Sequence, residues 1–171
     1  MIKAIVYTSN TGYTAEYARL LSEKTGLVAL PLEETKLPAG SEILYMSWLM
    51  AGNLQGCKKA AARYTLRCAV GVGMGPSGSQ IEGLRKKEIL RELPLFTLQG
   101  GFDYDRLRGI YRFMMGTMIR TVGRRLAKKP DITPEEKDML ELMTKGGSRV
   151  SPENLQPLLD WLEKEGLCER G

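Results

Sequence analysis

Apolar residues follow two rhythms along this chain. Before residue 100 they cluster in short runs, 2–7, 27–32, 43–50, 67–72 and 95–99. Runs of that length, rich in Ile, Val and Leu and bounded by Gly or Pro, predict strands buried on both faces. Between them the period lengthens to that of a helix. Tyr17, Leu20 and Leu21 mark the inward face of a helix over 13–24 that stops near Gly26. A shorter helix is expected over 57–64. Ser79-x-x-Glu82 is a capping box that opens a third over 79–92. Pro38-Ala39-Gly40 reads as a turn and 51–56 as a loop.

After Gly100-Gly101 the strand rhythm ends. Positions 107–129 form one long amphipathic stretch. At ~100° per residue, Leu107, Ile110, Tyr111, Met114, Met115, Met118, Val122 and Leu126 share one face, and Arg108, Arg112, Arg120 and Arg124 the other. Thr133-Pro134-Glu135-Glu136 starts another helix, with proline first and a capping glutamate, ending at Gly146-Gly147. Ser151-Pro152 starts the last, with Leu155, Leu158, Leu159 and Leu162 on one stripe and Gly166 as its stop. Strands alternating with helices predict βαβ units, right-handed crossovers and a five-stranded parallel sheet. The 171 residues fit one domain, with 102–148 as an insertion-like helical segment after the fifth strand.

In an open parallel sheet, ligands bind beyond the carboxyl ends of the strands. Three loops leave that edge: 8–14, 48–56 and 73–79. The first reads Thr8-Ser9-Asn10-Thr11-Gly12-Tyr13-Thr14. Hydroxyls and backbone N–H groups gathered at a helix N-terminus hold a phosphate without a metal or a lysine. An ordinary N-cap turn needs a single hydroxyl, which this loop exceeds. It lacks the Walker lysine and the GxGxxG pattern, which argues against triphosphate and dinucleotide ligands. Ser47-Trp48-Leu49-Met50-Ala51-Gly52 closes the third strand, and Trp48 either meets a ligand there or caps the core. Gly73-Met74-Gly75-Pro76-Ser77 closes the fourth, its glycines suited to backbone passing close to something flat.

Charge changes the picture in one place. The chain has 25 basic and 20 acidic residues. Eight of the basic ones, Arg106, Arg108, Arg112, Arg120, Arg124, Arg125, Lys128 and Lys129, lie in 106–129 with no acid among them. With those set aside, 17 basic residues face 20 acidic ones, a net of −3. The segment is either a solvated basic face or a docking surface for membrane headgroups, an acidic redox protein or a carboxylated substrate. No nucleic-acid motif accompanies it. Histidine is absent, which excludes Ser-His and Cys-His nucleophile pairs and histidine metal sites. Cys57, Cys68 and Cys168 show no CxxC or metal-ligand spacing and read as reduced thiols. No run reaches the ~18 apolar residues of a membrane span, and no basic stretch precedes an apolar one at the N-terminus. The expected location is the cytoplasm, with peripheral contact at the inner face of the membrane.

Ser9-Asn10-Thr11-Gly12-Tyr13-Thr14 resembles the FMN-phosphate motif of flavodoxins. Ser47-Trp48 resembles the flavodoxin loop that supplies an aromatic beside the flavin ring, and Val70-Gly71-Val72-Gly73-Met74-Gly75 the loop on its other side. This resemblance covers about the first hundred residues. It implies a flavodoxin-like α/β fold, strand order 2-1-3-4-5 with helices on both faces, and one FMN held non-covalently. Thr8 to Thr14 would hold the phosphate; Ser47 to Gly52 and Gly73 to Ser77 would flank the ring. The cofactor would carry the chemistry, so no catalytic acid or base and no metal is expected from the protein. Gly100-Gly101-Phe102-Asp103-Tyr104 and Arg108-Gly109-Ile110-Tyr111-Arg112-Phe113-Met114 are similar to the flavodoxin-domain branch that includes the bacterial quinone-linked protoporphyrinogen oxidase. That implies an FMN-dependent oxidoreductase with a quinone or a redox protein as partner. The alternatives are a small electron carrier without its own substrate and a binding module with a degenerate flavin site. The 49–56 loop departs from the electron carriers in lacking a tyrosine or an acidic pair.

Overall fold

The apolar runs become strands whose residues alternate between two cores. In a computed structural model that describes residues 1–167, they form β1 (Ala4–Thr8), β2 (Ala29–Pro31), β3 (Glu42–Met50), a two-residue β4 (Asn53–Leu54), β5 (Thr65–Gly73) and β6 (Leu95–Gln99). Cys168 lies outside the described residues. Parallel pairing runs β2-β1-β3-β5-β6, so the molecule is an α/β protein around a mostly parallel sheet. Ile5, Leu44, Met46 and Val70 point to one face, where they meet Tyr17 and Leu21 of α1 (Tyr13–Thr25). Leu158 and Leu162, of a helix over 156–164, pack on the same face. Ala4, Val6, Ile43 and Tyr45 point to the other, against Ala60 of α2 (Cys57–Arg63) and Leu84 of α3 (Ile81–Arg85). Burial on both sides is why these strands read as continuous apolar runs rather than as alternating ones.

The sheet differs from the expected five strands in its count. β4 folds back antiparallel on β3, with Leu49 opposite Leu54 and Met50 opposite Asn53. It takes the fourth number without joining the parallel path, so the order is β2-β1-β3-β5-β6 rather than 2-1-3-4-5. The connection is the pair Ala51-Gly52, both at positive φ (48° and 70°), the geometry of a two-residue hairpin turn. The expected loop at 51–56 is thus partly a hairpin, too short to show a period in the sequence.

The expected helix over 79–92 is broken. Ser79 does not cap it: its hydroxyl donates to the Pro76 carbonyl at 2.6 Å. The helix starts after Gln80, which sits at φ 67°, stops at Arg85 and gives way to a 3-10 turn at Glu88–Leu90. Leu84 and Leu90 are both buried. Six residues apart on one helix they would point in different directions, and the break lets both reach the core.

Beyond the sheet, α4 (Gly109–Ala127) and α5 (Pro134–Lys145) form a helical hairpin. Thr133 and Glu136 make the expected capping box at the start of α5. The hairpin's two ends meet in a ribbon absent from the sequence reading, β7 (Gly101–Phe102) against β8 (Gly147–Ser148). Asp138 of α5 holds it to the sheet, accepting from Gln99 Nε2 at 2.7 Å and from Arg149 Nε at 2.9 Å. The chain then returns through a 3-10 turn at Pro152–Leu155 to α6 (Gln156–Lys164). No described helix is long and apolar enough to cross a membrane.

Candidate functional site

The carboxyl ends of β1, β3 and β5 and the underside of the α4–α5 hairpin enclose a cavity of about 440 Å³. That lies within the usual range for small-ligand sites. One end is polar, formed by Asn10, Thr11, Tyr13 and Thr14 of the first loop. The rest is apolar. Seven of the chain's nine methionines line it: Met50, Met74, Met114, Met115, Met118, Met139 and Met143. Methionine is soft and unbranched, and its sulfur packs well on aromatic faces. The other apolar walls are Trp48, Leu49, Phe102, Leu107, Tyr111 and Val122.

The first loop divides its hydroxyls between structure and cavity. Ser9 Oγ accepts from the N–H groups of Gly12 (3.2 Å) and Ala15 (3.3 Å), which ties the turn to the start of α1. Thr8 Oγ1 lies 2.9 Å from Tyr45 Oη, below the loop. Neither Thr8, Ser9 nor Gly12 lines the cavity. Gly12 instead sits at φ 102°, a conformation that turns the chain into the helix. Thr14 is different. It is 2% exposed and lines the cavity. Its hydroxyl is not among the buried polar atoms left without a partner, which in the described residues is Tyr64 Oη alone, so a partnerless Thr14 hydroxyl keeps access to the cavity. The N–H groups of Tyr13 and Thr14, first in the helix, have no intrahelical acceptor. The Thr14 hydroxyl and these two helix-start donors therefore belong to residues lining this end.

The second loop contributes Trp48, Leu49, Met50, Ala51 and Gly52 to the lining. Trp48 meets Tyr111 of α4 edge to face, with centroids 5.2 Å apart. Ser47 is fully buried and turned away, donating to the Gln55 carbonyl at 2.7 Å. Tyr45 Oη donates to the same carbonyl at 2.7 Å, so Thr8 donates to Tyr45. From the third loop, Gly73, Met74 and Gly75 line the cavity, and Pro76 and Ser77 do not. Ser77 Oγ accepts from the Gln99 N–H at 2.9 Å, lacing the loop to β6. What lies against the glycines is protein. A Cβ on Gly73 would sit 3.3 Å from Leu49 Cδ1, and one on Gly75 2.9 Å from both Gln80 Nε2 and Ser79 Oγ.

One lining residue, Gln80, and one neighbour of the first loop, Arg106, were not among the expected ligand residues. Gln80 lines the cavity from a strained positive φ, the kind of backbone cost that concentrates at binding sites. Only its position after a glycine-rich loop hinted at this. Arg106 spans the root of the hairpin and the first loop. Its Nη1 donates to the Thr11 carbonyl at 3.1 Å and its Nε pairs with Asp103 at 3.0 Å. It was visible as one of eight basic residues and not as a neighbour of a loop 95 positions earlier. Tyr13 stays protonated: burial, then the Asp103 carboxylate, raise its hydroxyl above the ordinary tyrosine value.

α4 presents most of its expected apolar face inward, with one correction. Leu107 and Leu126 are buried, and Tyr111, Met114, Met115, Met118 and Val122 line the cavity. Ile110 is 67% exposed. It stands at the edge of the stripe, in the first turn of α4. No protein-family model matches the chain, and no curated protein matches it.

Proposed function

We propose that the cavity holds one FMN, non-covalently, and that the protein is an FMN-dependent oxidoreductase with a flavodoxin-like fold. The observation that carries this is the cavity's lining: hydroxyl residues at the start of α1 on one side, and methionine and aromatic side chains elsewhere. Phosphate is satisfied by helix-start N–H groups and a hydroxyl. A flat, apolar ring system is satisfied by methionine and tryptophan walls. Bound there, FMN would supply reversible electron and hydride transfer.

The chain's residues then have separable tasks. Thr14 and the N–H groups of Tyr13 and Thr14 hold the anionic end, and Arg106 steadies their loop through the Thr11 carbonyl. Trp48 to Gly52 and Gly73 to Gly75 flank the ring. The α4–α5 hairpin roofs part of the slot, with Tyr111 and Met114 at its exposed rim. An electron carrier needs its reacting edge at the surface, so the roof favours an enzyme acting on an apolar small molecule. Protoporphyrinogen, with a quinone as acceptor, is the most concrete pair the resemblance offers.

The test is a titration of the purified protein with FMN, followed by the visible spectrum and flavin fluorescence. Quenching at one equivalent and a stably yellow protein are expected. A colourless protein with unquenched flavin would remove the redox reading.

A further inference from the structure

The outward face of α4 is apolar at one end and cationic at the other. Ile110 is 67% and Phe113 76% exposed, and Met114, on the cavity's rim, is 43% exposed. At ~100° per residue, Ile110, Phe113, Thr117, Arg120, Arg124 and Lys128 fall on one strip turned away from the cavity. Arg120, Arg124 and Lys128 are exposed and form no ion pair among the described residues. No acid of the neighbouring α5 pairs with them: Glu136 is taken by Lys129, Glu141 by Lys145 and Asp138 by Arg149, and Glu135 is exposed and forms no ion pair among the described residues. A phenylalanine and an isoleucine this exposed, side by side on one helix, mark a contact surface rather than a core face.

We propose that this strip docks on an anionic phospholipid surface. Ile110 and Phe113 enter the boundary between headgroups and acyl chains, and Arg120, Arg124 and Lys128 meet the headgroup phosphates. The order along the helix selects lipid over an acidic protein. A bilayer surface offers apolar depth and anionic charge as two adjacent layers, and a tilted helix with an apolar first half and a cationic second half matches both. The surface is argued from α4 alone and stands whether or not the cavity holds a flavin. One consequence does rest on the redox reading. Met114 borders both strip and cavity, so a lipid-dissolved apolar substrate reaches the slot without crossing water.

The experiment floats the full-length protein with vesicles of phosphatidylcholine alone, or of phosphatidylcholine mixed with phosphatidylglycerol. Binding to the anionic vesicles only, weakened by salt, is expected. Ile110→Ser with Phe113→Ser lowers the affinity about ten-fold or more. Arg120→Glu with Arg124→Glu lowers it about 25-fold or more. A Phe113→Trp variant shifts its emission to the blue on anionic vesicles. All these positions are exposed, and circular dichroism checks that each variant folds. Absence of binding to anionic vesicles, equal binding to both kinds, or full binding by either double variant overturns the proposal. An FMN titration of the same preparations reads separately: protein that floats but takes up no flavin keeps the docking surface and loses the redox reading.

Discussion

Thr14 is a buried residue that lines the cavity, and its hydroxyl makes no side-chain hydrogen bond that the fold relies on, which makes two expectations at once. A hydroxyl that bonds nothing in the fold contributes no hydrogen bond to it, and replacing it by an isosteric methyl is close to neutral for stability. A hydrogen bond to a charged group is worth about 1.5–3 kcal/mol. Thr14→Val should therefore leave urea unfolding of the apoprotein unchanged within ~0.5 kcal/mol and weaken FMN about ten-fold or more. Riboflavin, which lacks the phosphate, should bind both proteins alike. Arg106→Gln should show the same split between FMN and riboflavin, because its guanidinium stands over the Thr11 carbonyl. Equal losses for both ligands would place the phosphate elsewhere. Cys57 gives a pH expectation. Burial pushes its thiol from 9.0 up to about 11. In the unfolded chain the thiol ionises first, so its contribution is complete below pH ~9 and is lost as pH rises towards ~11. Two pKa units correspond to about 2–3 kcal/mol. Urea unfolding at pH 8 and 10.5 should show a loss in the wild type that is smaller in Cys57→Ala.

Among the elements, the parallel strands and α1 were legible in the sequence because double-sided burial writes a continuous apolar run, and a helix writes its own period. The capping box at Thr133 and the cavity loops were legible through turn chemistry. What stayed hidden depends on contacts far apart in the chain. The β4 hairpin has two residues per arm and no period to read. The break after Arg85 exists because Leu84 and Leu90 both find the core. The hidden hairpin carries its own test. Ala51 holds a positive φ that costs an L-residue about 1 kcal/mol, which glycine avoids. Ala51→Gly should raise stability by roughly 0.5–1 kcal/mol, read as a higher urea midpoint at unchanged slope. An unchanged or lower midpoint would mean that the chain's freedom in the unfolded state outweighs the strain.

Across the whole molecule, the cavity joins two parts, the sheet edge and the hairpin, which meet at the β7–β8 ribbon and through Trp48 and Tyr111. The sheet supplies the polar end, and the hairpin supplies most of the methionines. The roots are tightly built. A Cβ on Gly101 would fall 2.5 Å from the Gly147 carbonyl and 2.6 Å from the Tyr13 ring, so ribbon, first loop and hairpin move as neighbours. A ligand that fills the cavity must then stabilise both parts together. At a hundred times its dissociation constant, FMN should add about 2.7 kcal/mol to unfolding. Hydrogen exchange should slow in α4 and α5 as well as in residues 9–15, because opening the hairpin exposes what the ligand covers. Gly101→Ala, which forces the root apart, should retain protection of the first loop and lose it in the hairpin. Protection confined to the first loop in the wild type would show that the hairpin is no part of the binding site, and that its methionines serve the outer surface alone.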